Sequence, residues 1–272
     1  MVKKAVIPAA GYGTRSLPIT KVLPKEMFPI CGRPAIDYIV QEAIDAGIEE
    51  ILIITSRAKN MIMDYFDRFI ELEEFLTKNK KEHLISTIIP PNVHIQYIRQ
   101  PYATGLGAAV QLADRFIGND PFAVLLPDQV FMNEEKSALR ELIEIYDEYQ
   151  TNVIGVKEMK QEDLKLYGVI KGTQIEENLY EMIDIIEKPQ KYPPSNLAAI
   201  GRYVFTPEIF FFLNQAIPGV GNEIQLTDAM KQMLLTKNYM AKVLEEHCFD
   251  LGKESEYIAL INEVFRKRNN SL

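Results

Sequence analysis

Short runs of uninterrupted apolar residues, each followed by a segment of helical spacing, constrain this chain more than any other feature of its sequence. AVIP within KKAVIP (3–8), ILIIT (51–55) and FAVLL within FAVLLPD (122–128) lack a polar face, as parallel strands covered on both sides require, and are far too short to span a bilayer. Between them, residues 34–46 place Ile36, Ile39, Val40, Ala43 and Ile44 on one helical face, with Pro34 suited to the first turn and Gly47 to the C-terminal cap. Residues 60–85, with Phe66, Phe69, Ile70 and Leu72 among their apolar positions, form one or two amphipathic helices; HIQYI (94–98) alternates like a strand; residues 105–118 return to helical spacing. In residues 137–149, Leu139, Leu142, Ile143 and Tyr146 share a face. This alternation predicts an α/β fold: a Rossmann-like layered sheet, mixed but mostly parallel, flanked by helices.

Past residue 149, NVIGVKE, YGVIKG, LYEMIDIIEKP and AAIGRYVF read as strands with short connections that extend the same sheet. Helical pieces follow at EIFFFL, LTDAMKQMLLT and SEYIALINEVFRKR, the last with a basic end that suits the helix dipole. With no internal repeat or linker, residues 1–272 are expected to form a single domain.

Ligands of such sheets bind beyond the carboxyl ends of the strands. There the first strand runs into AAGYGTRSLPITKVLPKEMFPI, residues 9–30. Gly11 and Gly13 suit a dinucleotide loop, but Ser16 stands where a third glycine belongs, and Pro18 and Pro24 would break the helix that a dinucleotide fold begins at once. A GxxxxGK[ST] loop is also lacking at this strand end. What remains is a glycine turn able to aim N–H groups at anionic oxygens, followed by Arg15, Lys21 and Lys25 on a proline-stiffened loop. That is a cationic wrap for a polyphosphate; the plainer reading is a surface loop with solvated cations.

GYGTRSLPITKVLPKEM resembles the G-x-G-T-R…P-K signature of the sugar nucleotidyltransferases, and its TKxxPKEMxPI form is similar to the bacterial UTP:glucose 1-phosphate uridylyltransferases among them. The likeness continues in order through RQPYATGLGAAV, LLPDQ, YGVI, IEKP, PSNLAAIGRYVF and GNEIQLTDA, which together cover nearly the whole chain. The resemblance implies attack of a sugar 1-phosphate oxygen on the α-phosphorus of UTP, giving UDP-glucose and pyrophosphate. Because the phosphate nucleophile is already ionised, the chemistry asks for positioning and charge neutralisation and needs no side-chain nucleophile. Residues 1–150 would mainly bind nucleotide, and residues 151–272 would mainly bind sugar and support oligomerisation.

Residue by residue, the resemblance implies that Asp128 and Asp250 hold Mg²⁺, an ion that suits few protein carboxylates plus phosphate oxygens. Many relatives have Cys-Gly after the second aspartate, whereas Leu251 and Gly252 follow it here. Arg15 would meet the β and γ phosphates and Lys25 the α-phosphate, forked and point-like cations respectively. Gln100 and the backbone near Gly105 would read the pyrimidine, Ala9, Ala10 and Gly11 would let base and ribose approach the main chain, Gly13 would bind nucleotide as part of the glycine turn, and Glu26 belongs to the same signature without an assigned contact. Glu187 would meet sugar hydroxyls and Lys188 the sugar phosphate. Adjacent strand residues face opposite ways, so these two share a ligand only if the chain bends, as Pro189 would allow. Without the resemblance they read as an exposed ion pair. Gly168 and Gly201 would let the hexose lie against backbone or mark bulges, and Glu223 would approach sugar hydroxyls or cap the helix near Thr227.

The remaining composition narrows the partners. A formal net charge of -8 without a long basic run argues against a nucleic acid polymer or an anionic membrane. Cys31 and Cys248 are far apart and lack metal-ligand spacing, which suggests neither a disulfide framework nor zinc and points to a reducing, cytoplasmic setting. His83, His94 and His247 form no catalytic arrangement. The resemblance implies a homodimer or homotetramer. Competing readings are a thymidylyl- or cytidylyltransferase using the same site, a non-catalytic UDP-sugar-binding homologue, and last an NAD-dependent dehydrogenase. The intact charged set Arg15, Lys25, Asp128, Lys188 and Asp250 argues against a decayed site.

Overall fold

The computed structural model describes residues 1–132 and 136–270. Strand β1 (Lys4–Pro8) leads through short 3-10 turns to a small hairpin, β2 (Pro29–Ile30) and β3 (Arg33–Pro34), and then to α1 (Ala35–Asp45). Next come β4 (Glu50–Thr55), α2 (Asn60–Phe66), α3 (Ile70–Lys78), β5 (His94–Arg99), α4 (Leu106–Gln111), α5 (Asp114–Ile117), β6 (Phe122–Leu125), β7 (Gln129–Phe131) and α6 (Ala138–Tyr149). The rest of the chain adds β8 (Asn152–Glu158), β9 (Gly168–Glu176), β10 (Leu179–Glu187), β11 (Leu197–Phe205), α7 (Ile209–Gln215), α8 (Leu226–Met233), β12 (Tyr239–Val243), β13 (Cys248–Asp250) and α9 (Glu254–Asn270).

Nine strands form one sheet in the order β5-β4-β1-β6-β11-β8-β12-β10-β9. Pairing is parallel through β5, β4, β1 and β6, and again between β8 and β12. Elsewhere it is antiparallel. Parallel pairing is thus confined to fewer junctions than the sequence suggested. The cause is visible at β9–β10, whose connection of two residues is long enough only for a hairpin. Because β11 inserts between β6 and β8, the sheet runs unbroken from the first half of the chain into the second.

Alternation along the buried strands feeds two apolar layers. Ala5, Ile7, Ile51 and Ile53 pack with Ile36, Ile39, Leu139 and Leu142 on one side. Val6, Leu52, Ile54 and Phe122 pack with Val110, Phe210 and Met230 on the other. Helix α1 ends as its sequence suggests: Gly47 has φ +91°, its N–H reaches the Ile44 carbonyl at 2.9 Å, and the Ile48 N–H reaches Ala43 at 3.0 Å. Residues 60–85 divide into α2, α3 and a 3-10 stretch, and the break between the helices leaves Phe69 and Ile70 exposed, not packed as their spacing implied. Residues 105–118 likewise split into α4 and α5. No helix among the described residues is long and apolar enough to cross a membrane.

A buried ion pair joins the two halves beneath the sheet's ligand edge. Arg202 on β11, fully buried, donates Nε–H and Nη2–H to the two Glu42 carboxylate oxygens of α1 at 3.0 and 2.7 Å. The same guanidinium donates to the carbonyls of Leu126 at 3.2 Å and Gln129 at 2.8 Å, on either side of Asp128. It also lies over the Phe131 ring.

Candidate active site

The carboxyl ends of the parallel strands gather the expected chemistry at one edge. After β1 comes the loop bearing Arg15 and Lys25; after β4, Lys59; after β5, Gln100; after β6, Asp128. Gly13 has φ +67°, and its carbonyl accepts hydrogen bonds from the Ser16 N–H at 3.0 Å and the Thr20 hydroxyl at 2.9 Å, so the glycine turn is closed by the loop that follows it.

Two adjoining cavities open along this edge. One, of ≈ 320 Å³, is bordered by Ala10, Gly11, Lys25, Glu26, Gln100 and Gly105. The other, of ≈ 420 Å³, is bordered by Arg15, Gly168, Glu187, Lys188 and Asp250. Asp128 and Glu223 border both. Residues from widely separated motifs therefore converge around Asp128.

Three ion pairs organise the junction. Lys25 Nζ lies 2.5 Å from Asp128 Oδ2. Arg15 reaches Asp250 Oδ2 at 2.8 Å through Nη1, and through Nη2 it reaches Asp250 Oδ1 at 3.3 Å and Asp128 Oδ2 at 3.4 Å. Burial alone would push the Asp128 carboxyl up, but Lys25 and Arg15 overcome it and hold the pKa below the ordinary value. Burial opposes the charge on Lys25 too; there Asp128 and Glu26 prevail, and its pKa rises. Arg15 is raised in the same way, burial being outweighed by Asp250 and Asp128.

Backbone pairing fixes the two aspartates relative to each other. Strand β13 runs antiparallel to β7 with Asp250 opposite Gln129, and the Leu251 N–H donates to the Asp128 carbonyl at 2.8 Å. Two carboxylates aimed at one place, with open cavity beside them for phosphate oxygens, suit a small hard divalent cation. Among the described residues no group of three or more His, Cys, Asp or Glu side chains forms an all-protein metal cage.

Across the second cavity, Lys188 resolves the facing problem posed by its neighbour. It follows β10 with φ +45°, a left-handed bend just before Pro189, and its Nζ comes 3.3 Å from Glu187 Oε1. Both side chains border the same cavity. The Thr227 hydroxyl donates to Glu187 Oε2 at 2.9 Å. Glu223 accepts from Gln225 Nε2 at 3.2 Å and does not cap α8, whose start has no side-chain cap.

Not every candidate faces a cavity. Ala9 is buried and donates its N–H to the Ile54 carbonyl at 2.7 Å. Gly168 borders the second cavity, where a Cβ would meet Thr227 Cγ2 at 2.8 Å. Gly201 borders neither cavity; it sits at the irregularity in β11 with φ +68°, where a Cβ would come 2.7 Å from Gln129 Oε1 and 2.8 Å from Leu126 Cβ. Of its two sequence readings, this geometry favours the bulge.

Sequence reasoning missed several residues here. Lys59 donates to both Glu26 oxygens at 2.8 Å, and burial lowers its pKa although Glu26 opposes that shift. Its position just past β4 at the ligand edge was the available signal. Tyr167 borders the second cavity, and its hydroxyl donates to Asp250 Oδ2 at 3.2 Å. Burial, then Asp250, drives the Tyr167 pKa far upward, so its hydroxyl stays a neutral donor. It stood beside Gly168 in the YGVI motif.

Known proteins share this architecture. A 47% identical relative, the UTP–glucose-1-phosphate uridylyltransferase YngB of Bacillus subtilis (strain 168), aligns over 98% of this chain and 93% of its own length. A UDP-glucose pyrophosphorylase solved with UDP-glucose superposes with a TM-score of 0.87 at 40% identity, covering 98% of this chain and 100% of the other. The UTP-bound enzyme from Acinetobacter baumannii gives 0.88 at 38% identity, over 97% and 93% of the two chains. The model of the nucleotidyl transferase family matches residues 4–267, almost the full span that carries the sheet and both cavities, and the chain belongs to that family.

Proposed function

We infer that the protein transfers the uridylyl group of UTP to glucose 1-phosphate, releasing pyrophosphate and forming UDP-glucose. The observation that carries this reading is the meeting of two cavities at Asp128. Lys25, Gln100 and Gly105 border one cavity, Arg15, Asp250 and the Glu187–Lys188 pair border the other, and Asp128 borders both. Relatives and structural neighbours named for this activity, one solved with UTP and one with UDP-glucose, support it.

In this reading the first cavity takes the nucleotide. Gln100, 5% exposed, offers a carboxamide to a pyrimidine edge, and its Nε2 is bonded only weakly, at 3.4 Å from Thr104 Oγ1 and from the Gly105 carbonyl. Lys25 neutralises charge at the α-phosphorus and Arg15 at the β and γ phosphates. Lys188 holds the sugar phosphate, and Glu187 and Glu223 accept hydrogen bonds from sugar hydroxyls. A sugar phosphate oxygen forms the new bond to the α-phosphorus as the bond to the β-phosphate oxygen breaks, in line and with no covalent enzyme intermediate. Asp128 and Asp250 would hold Mg²⁺, which when bound polarises the phosphoryl oxygens and stabilises the leaving pyrophosphate.

The chain is further proposed to act in the cytoplasm as a homodimer or homotetramer; exposed Phe211 and Phe265 on α7 and α9 are consistent with subunit contacts. The direct test of function is pyrophosphate release with glucose 1-phosphate and Mg²⁺, in parallel with UTP, dTTP, CTP, ATP and GTP, with and without EDTA. A strong preference for UTP abolished by EDTA is expected. Preference for dTTP or CTP would overturn the base assignment, and silence with every triphosphate would overturn the enzyme.

A further inference from the structure

Gly252 lies directly beneath the Arg15 guanidinium. A methyl group built on Gly252 would stand 2.3 Å from Arg15 Cζ, 2.4 Å from Nη2 and 2.7 Å from Nε, far inside van der Waals contact. Gly252 is not among the residues with positive φ, so the conformational freedom of glycine does not account for its presence. The room it leaves does. Its N–H donates to Asp250 Oδ1 at 2.8 Å, which sets that carboxylate beside the seat.

Seated there, one guanidinium touches both Asp250 oxygens and Asp128 Oδ2. We propose that Gly252 is a positioning residue whose missing side chain seats Arg15 between Asp128 and Asp250 as a stand-in for the divalent cation, so that the cation enters only as Arg15 swings out. The inference rests on the reading of these two aspartates as metal ligands. Arg15 has a path for the exchange: its side chain is 48% exposed against 6% for Asp250, so the guanidinium can leave toward solvent while the carboxylate stays in place. The triphosphate offers the displaced guanidinium new oxygens a short reach away, so arrival of the metal and delivery of Arg15 to the nucleotide become one event. In the free protein, Arg15 is the countercharge that Asp250 and Asp128 share, beside the Lys25 ammonium on Asp128.

Gly252→Ala tests the seat while leaving every charge in place, and Arg15→Gln removes the occupant. Nucleotide-free protein is titrated with Mn²⁺, free Mn²⁺ is read from its paramagnetic resonance signal, and melting curves check that each variant folds. Gly252→Ala is expected to bind Mn²⁺ about two- to fivefold more tightly than the parent, the range a partly exposed ion pair commands. Arg15→Gln is expected to gain at least as much, while Asp250→Asn weakens binding. Should Gly252→Ala melt early, Arg15→Gln decides whether Arg15 competes with the cation. Tightening in Arg15→Gln with a well-folded Gly252→Ala unchanged overturns the role of Gly252. No tightening in either, with Asp250→Asn still weakened, overturns the exchange and leaves the metal ligands standing. Binding indifferent to Asp250→Asn removes the metal reading and this inference with it.

Discussion

The Tyr167 hydroxyl donates to Asp250 Oδ2 across 3.2 Å, and the Tyr167 carbonyl accepts the Lys188 backbone N–H at 3.0 Å. One residue thus holds a carboxylate assigned to the metal and the backbone of the lysine assigned to the sugar phosphate. Tyr167→Phe removes only the first of these contacts. Loss of one such hydrogen bond is worth about 1 kcal/mol, roughly a fivefold change. We expect turnover to fall by about that factor and the Mg²⁺ concentration for half-maximal rate to rise, with KM for glucose 1-phosphate unchanged, as steady-state kinetics across metal concentrations would record. A change confined to glucose 1-phosphate would refute the assignment.

Asp128 links the site to acid stability. Burial raises its pKa, Lys25 and Arg15 lower it further than burial raises it, and the folded value lies below the ordinary aspartate value. A depressed carboxylate adds stability that is present above its unfolded pKa and is lost as pH falls through the folded one. Asp128→Asn is therefore expected to lower stability at neutral pH and to flatten its decline below about pH 4, as urea denaturation at a series of pH values would show. Turnover should drop by about two to three orders of magnitude, the scale of lost charge stabilisation in a transition state. Activity near the parent value would make Asp128 structural.

Arg202 and Glu42 behave as a unit. Arg202→Met leaves a buried carboxylate without its cation and is expected to cost about 3–5 kcal/mol of stability in chemical denaturation. Glu42→Leu combined with Arg202→Met should recover a large part of that loss. The recovered double variant should still turn over slowly, because the Leu126 and Gln129 carbonyls flanking Asp128 have lost the guanidinium that ties them together. Full activity in the double variant would show that the turn bearing Asp128 needs no clamp.

Gly105 has φ +113°, and a Cβ there would stand 2.5 Å from the Ile224 carbonyl oxygen and 2.8 Å from the Ile224 nitrogen. Both are main-chain atoms that cannot step aside cheaply. Gly105→Ala adds backbone strain of about 1–3 kcal/mol at the wall of the nucleotide cavity. Calorimetric titration is expected to show UTP affinity reduced by about tenfold or more, with glucose 1-phosphate dependence less affected.

Local features of the fold were legible because each is written within a few residues. The apolar runs that became β1, β4 and β6, the face of α1 and its Gly47 cap all announce themselves by period or end signal. Strands β7 and β12, which escaped the reading, carry no such mark: β7 has three residues, and YMAKV of β12 interrupts its apolar pattern with Lys242. In the site, motif order delivered Arg15, Lys25, Asp128, Glu187, Lys188 and Asp250. Partnership was harder to see. Glu42 sits within a helix whose apolar face was read correctly, yet its partner Arg202 lies 160 residues away. No spacing rule connects residues that meet only when β11 enters the sheet beside β6, and the same holds for Tyr167 with Asp250 and for Gly252 with Arg15.

The Gly107 N–H donates to the Ile224 carbonyl, and the Ile224 N–H donates to the Thr104 carbonyl, each at 2.8 Å. The loop that walls the first cavity and the segment that carries Glu223 to the border of both are therefore joined through main chain, a single lip shared by two mouths. A displacement of this main-chain link would reshape the rim of both cavities together.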